Sequence, residues 1–121
     1  MANRNYSAKL TGKIAEQAAC KYLCQQGLKL ITRNFRCRMG EIDLIMRQGK
    51  ILVFVEVRYR QSYDYGGSLA SVNYAKRQRL IKTAQYYLQV HNLLDQINCR
   101  FDVVALSGNH HVEWVPDAFW V

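Results

Sequence analysis

A chain of 121 residues, half of them hydrophobic and 21% charged, with one Pro and seven Gly, suits a single domain over residues 1–121 with a buried core. It does not suit a disordered or collagen-like chain. Seventeen Lys and Arg against nine Asp and Glu give a formal net charge of +8, and residues 1–60 (12 basic, 4 acidic) hold all of the surplus, since 61–121 balance at five and five. The longest apolar run, Ile51 to Val55, is far too short to cross a bilayer.

In chain order, MANRNYSAKL has no apolar stretch of the signal-peptide kind, so the expectation is a cytoplasmic protein with no membrane partner. In that reducing compartment Cys20, Cys24, Cys37 and Cys99 are read as free thiols. Cys20 and Cys24 are four apart, but no second Cys or His pair at metal spacing answers them. Leu10, Ile14, Ala18, Tyr22 and Leu23 recur at helical spacing and Gly27 makes a stop, which predicts a helix over about 8–26. A strand follows from Leu28 toward Arg36. Glu41–Arg47 and Ile51–Tyr59 are β-rich runs around Gln48-Gly49, a hairpin signal.

A second helix is expected over about Val72–Val90, with Arg77, Leu80, Ile81, Ala84, Tyr87 and Leu88 on one arc. Phe101–Leu106 and Val112–Val115 are two more strands joined through Ser107-Gly108-Asn109. The order is helix, three strands, helix, strand, strand. Short links make the first three strands an antiparallel meander, and the return through a helix suits a right-handed crossover into a parallel neighbour. The fold class is α/β, a central mixed sheet flanked by helices.

The hairpin carries the chemistry. With a turn at Gln48-Gly49, Ile45 lies opposite Leu52, Asp43 opposite Phe54 and Glu41 opposite Glu56. Asp43, Glu56 and Arg58 then share a face, the two acids roughly 5 to 8 Å apart on a diagonal. An odd-numbered connection would reverse the faces. Two carboxylates so placed need a cation. Either Arg58 neutralises a structural pair, or both acids hold a hard divalent ion such as Mg²⁺, with open positions for a phosphodiester and a water. Glu56 interrupts the apolar series that precedes it, where a sequence built for stability alone would keep a hydrophobe.

The stretches Gly40-Glu41-Ile42-Asp43-Leu44-Ile45, Phe54-Val55-Glu56-Val57-Arg58-Tyr59-Arg60 and Arg100-Phe101-Asp102-Val103-Val104 resemble the YraN-like family of uncharacterised bacterial proteins. The likeness runs from Gly12 to Ala118-Phe119. That family is similar to small PD-(D/E)XK nucleases of the archaeal Holliday-junction-resolvase type, which implies a restriction-endonuclease-like αβββαβ core. The resemblance further implies that Asp43 and Glu56 are metal ligands with the Val57 carbonyl, that Arg58 occupies the catalytic-lysine position, and that Glu16 completes the site from the first helix, Gly12 permitting close approach one turn earlier. Ile42 stands where the superfamily motif has Pro.

Arg58 in place of Lys matters more, because an arginine stays charged and stabilises developing negative charge but does not exchange a proton. Lys76, at the start of the second helix, offers an ammonium from another direction, or else covers a hydrophobic edge. Asp102 is read as a structural partner of Arg100. Tyr59, Tyr63 and Tyr65 flank a loop, Gln61 to Ser68, that either stacks on bases or packs on the sheet edge.

The resulting expectation is a nucleic-acid-binding protein, DNA favoured over RNA, that hydrolyses phosphodiester bonds with Mg²⁺ or Mn²⁺. Arg33, Arg36, Arg38, Arg60 and Lys76 would track phosphates. The alternatives are a nucleic-acid-binding module without turnover and a basic adaptor for ribosomes or proteins. A homodimer is compatible with Trp114, Phe119 and Trp120 forming an apolar surface; the same aromatics also suit the core.

Overall fold

The computed structural model describes residues 4–60, 72–107 and 111–119, without the side chains of residues 4–11 and of Arg60. Leu10, the tyrosine loop with Tyr63 and Tyr65, the Gly108-Asn109 turn and Trp120 therefore lie outside the described residues. The elements run α1 (Arg4–Gln25), β1 (Lys29–Cys37), β2 (Gly40–Gln48), β3 (Ile51–Arg60), α2 (Tyr74–Val90), β4 (Cys99–Ser107) and β5 (Val112–Phe119). One five-stranded sheet has the order β1-β2-β3-β4-β5. All neighbours are antiparallel except β3 and β4, which α2 joins as a parallel pair. This is the mixed α/β sheet with the αβββαβ order expected from the sequence. Among the described residues no helix is long and apolar enough to cross a membrane.

Each sheet face buries one helix. Leu80, Ile81, Ala84, Tyr87 and Leu88 of α2 pack with Leu52, Phe54, Phe101, Val103 and Phe119. On the other face Ala15, Ala19, Cys20 and Leu23 of α1 pack with Leu44, Met46, Val53, Val55, Val104 and Leu106. The alanines let α1 lie close to the sheet, which turns the helix so that Ile14, expected inside, is 59% exposed. On α2 the Arg77 guanidinium lies 5.6 Å from the Phe119 ring centroid and its Nε donates to the Val72 carbonyl, which explains a cation on the apolar arc. Trp114 meets Tyr22 edge-on and Phe119 stacks on Phe101, so both aromatics turn toward the core.

The hairpin register differs from the expected one by two residues: Ile45 pairs with Phe54 and Gln48 with Ile51. The turn is Gly49-Lys50, and Gly49 takes φ +59 at its first position, as a type II′ hairpin requires. A shift of two keeps parity, so the residues paired from Gln48–Ile51 to Leu44–Val55 stay on their expected faces. β5 extends four residues beyond the expected Val115 because Pro116 is tolerated on an edge strand. At the other end of β2, Gly40 has φ +153, and a β-carbon there would stand 3.0 Å from Thr83 Oγ1 and 3.7 Å from Arg79 Cβ. Helix α2 thus crosses directly over the start of β2.

Candidate metal centre

The site forms where β2 and β3 part. Their pairing runs from Gln48–Ile51 to Leu44–Val55, and Asp43 and Glu56 are the next residues in line. Alternation along β2 breaks there: Leu44 and Met46 pack with α1, whereas Ile42 and Ile45 both pack with α2. The Val57 N–H donates to Asp43 Oδ2 at 2.8 Å, so a side chain closes the fork. Val57 therefore reaches the cluster through its amide hydrogen. Opposite the kink, between the pairs Arg33–Leu44 and Phe35–Ile42, Asn34 holds a left-handed φ of 52. Asn is among the few side chains that take this conformation readily. Its amide lies against Glu16 Oε1 and Glu41 Oε1, and the orientation assigned from these acceptors points the nitrogen at both, at 3.3 and 3.2 Å.

Charge is concentrated at this fork. Glu56 is 4% exposed, and its Oε2 lies 2.7 Å from Lys76 Nζ and 3.3 Å from Arg58 Nη1. The Asp43 carboxyl is pushed up from 3.8 to about 8: burial is the main cause, followed by the negative charge of Glu56. The Val57 N–H opposes the rise, while a hydrogen bond with Glu56 and the charge of Glu16 add to it. Asp43 is thus largely protonated near neutral pH in the metal-free protein and hydrogen-bonded to Glu56.

These residues suit a hard cation. Glu56 already draws the Lys76 ammonium, and the side chains that could hold a divalent ion, Asp43 and Glu56, offer carboxylate oxygens. Among the described residues no group of three or more His, Cys, Asp or Glu is placed to hold a metal ion, so the candidate rests on two carboxylates. An open two-carboxylate site is how Mg²⁺ is usually held, with water filling the remaining positions. Asp43 and Glu56 would be the direct ligands and Glu16 an outer partner.

Lys76 is delivered by the first turn of α2, whose N-cap Asn73 accepts the Lys76 N–H at 2.9 Å. That turn carries no acidic residue, although the positive end of a helix favours one over a lysine. The local disadvantage is offset by Glu56. Replacing Lys76 with Met should cost about 1–2 kcal/mol in urea unfolding of the metal-free protein, because Glu56 keeps Arg58 but loses its shorter partner. A Lys76→Met midpoint equal to wild type would mean that the pair contributes nothing.

The other expected site residues are more dispersed. Arg36 pairs with Glu41 at 3.4 Å on the exposed side of β1, and Arg38 lies exposed in the β1–β2 turn. Arg33 is exposed on β1, its guanidinium 3.8 Å from Cys20 Sγ. Lys76, expected either as an ammonium for the site or among the phosphate-tracking cations, lies in the acid cluster. Glu41, expected opposite Glu56, pairs with Arg36 on the neighbouring strand, and Asp43 takes the place beside Glu56. Asn34 is the residue that sequence reasoning missed. Its one available signal is an Asn between Arg33 and Phe35 inside a strand-like run.

Asp102 is a structural anchor, as its neighbours suggested. Fully buried, it accepts from Arg100 Nε (2.9 Å), Arg100 Nη2 (3.2 Å), Trp114 Nε1 (3.0 Å) and the Asp117 N–H (2.9 Å). Arg100 also donates to Gln48 Oε1 at 2.6 Å, tying β4 to the hairpin.

The model of the uncharacterised protein family UPF0102 matches residues 15–106. The chain belongs to the UPF0102 family. That span includes Glu16, Asn34, Asp43, Glu56, Arg58, Lys76 and Asp102. Similar UPF0102 proteins include one from Coxiella burnetii (strain RSA 331 / Henzerling II), 51% identical over 115 residues, or 93% of this chain and 96% of the relative. A second, from Legionella pneumophila (strain Philadelphia 1), is 47% identical over 109 residues, or 89% and 92%. A third, from Nitrosomonas europaea, is 50% identical over 115 residues, or 93% and 96%. These relatives bear the UPF0102 name without a stated chemistry, so function is argued from the site.

Proposed function

We infer that this UPF0102 protein is a divalent-metal-dependent endonuclease that hydrolyses phosphodiester bonds of nucleic acid, DNA in preference to RNA. The observation that carries the reading is the Asp43–Glu56 pair. Two acids forced together at a strand fork, one of them kept protonated by burial and by the charge of the other, do nothing for the fold that a hydrophobe would not do better. A cation is what relieves them.

When bound, Mg²⁺ or Mn²⁺ supplies a Lewis acid for the phosphate and lowers the pKa of a coordinated water. The protein's own groups divide the remaining work. Asp43, fixed by the Val57 N–H, and Glu56, fixed by Lys76, stand within hydrogen-bonding reach of each other. Arg58 lies beside Glu56 with a permanently charged guanidinium, suited to the negative charge that builds on the phosphoryl oxygens. Lys76 brings the ammonium that position 58 lacks, from a different element. The basic surplus of residues 1–60 draws the polyanion in by counterion release.

The test is cleavage of branched, flapped and linear DNA with each divalent metal. Cleavage should require Mg²⁺ or Mn²⁺, stop with chelator, and fall by at least about 10²-fold in Glu56→Gln. Salt-sensitive DNA binding with no cleavage under any metal would leave a binding module in its place. Cleavage unchanged in Glu56→Gln would belong to a contaminating nuclease.

A further inference from the structure

Beside the acid cluster, between α1 and the β1–β2 ribbon, lies an open cleft of about 320 Å³. It is lined by Gly12, Lys13, Glu16, Gln17, Arg33 and Asn34, with Arg36 and Glu41 at its margin. Glu16 belongs to both places, since it lines the cleft and its charge is felt at Asp43. The cleft's two carboxylates are already engaged. Glu41 is held by Arg36, and the Asn34 amide is turned toward both Glu41 and Glu16. With Arg36 and Glu41 paired, Lys13 and Arg33 face one remaining carboxylate, Glu16, whose charge a neutral amide does not cancel, so the cleft is net positive.

Gly12 adds an independent observation. It lies in the interior of a 22-residue helix, where glycine is a poor choice. Close packing would excuse it, yet among the described residues no atom comes within 4 Å of where its β-carbon would be. The close approach expected at Gly12 is therefore not made by this chain's own described residues. The bare flank of the helix is kept open toward the cleft.

We propose that this cleft binds a single, unpaired nucleic-acid strand leading to the Asp43–Glu56 site, with Arg33 and Lys13 on its phosphates and Gly12 leaving room for its backbone. The inference rests on the nucleic-acid reading above and narrows it to substrates with an unpaired segment beside the cut. The cavity is at the lower end of the range that houses one drug-sized ligand, which is the bulk of a nucleotide and not of a duplex.

The experiment measures binding by fluorescence anisotropy with a short labelled single strand and the matching duplex, in chelator so that no cleavage intervenes, over about 50–200 mM salt. Wild type, Arg33→Gln and Gly12→Leu are compared, and each is melted without DNA. Wild type should bind the single strand more tightly than the duplex. Arg33→Gln should weaken single-strand binding about tenfold and reduce the log–log salt slope by about 1. Gly12→Leu should weaken it similarly with the slope unchanged, yet raise the melting temperature by a few degrees, because leucine is the better helix former. Wild-type affinity in both variants, or a lowered melting temperature in Gly12→Leu, would overturn the cleft assignment and leave the nucleic-acid reading standing. Absence of DNA binding by wild type at the lowest salt would remove both.

Discussion

Replacing Asp43 with Asn should make the metal-free protein more stable at pH 8, by about 3 kcal/mol, while abolishing metal-dependent cleavage. The folded-state carboxyl ionises at about 8 against 3.8 in the unfolded chain, chiefly because it is buried and faces Glu56. Its contribution to stability is fully present below pH 3.8 and is lost as pH rises through about 8, since over that window the unfolded chain has released a proton that the folded one retains. Each pH unit of that window is worth up to about 1.4 kcal/mol. Asparagine keeps an oxygen for the Val57 N–H and offers Glu56 a permanent donor, recovering most of the loss. The difference between the unfolding free energies of Asp43→Asn and wild type, measured in urea with chelator, should shrink steadily from pH 8 to pH 5. A destabilised Asp43→Asn protein at pH 8 would mean that the acid pair is structural and already neutralised.

The opposite sign is expected at Asp102. Asp102→Ala should cost about 3–5 kcal/mol and leave the protein close to unfolding. Four donors converge on this fully buried carboxylate, and the change would strand the Arg100 guanidinium and the Trp114 and Asp117 N–H groups. It would also loosen the link from β4 to Gln48 beside the hairpin turn. Asp102→Asn should cost less in urea unfolding, because an amide oxygen still serves some of the donors. A loss below about 1 kcal/mol in Asp102→Ala would show that water replaces the network.

These two acids illustrate how far the sequence could be read. Both sit in β-rich runs, and the element order followed from period-2 runs and two helical arcs, because burial on a sheet or helix face imposes those periods on the chain. The carboxylate pairing came through a register wrong by two residues. Parity survived, and parity decides the face. What did not come through is long-range or conformational. The sequence offered Lys76 as an ammonium from the second helix or as cover for a hydrophobic edge, and only the fold puts it on Glu56; nothing local announces that Ile14 faces outward. Asn34 reads as an ordinary strand residue; its left-handed backbone and its hold on Glu16 and Glu41 depend on two other elements being in place.

Whether Asp43 and Glu56 together bind a divalent cation is decided by calorimetric titration with Mn²⁺ at pH 7 in two buffers of different ionisation enthalpy. Wild type should bind one ion and release close to one proton as it does so, because the proton on Asp43 must leave for the ion to enter. Binding should vanish in Asp43→Asn and in Glu56→Gln. No Mn²⁺ binding by wild type, or equal binding in all three proteins with no proton released, would contradict the account.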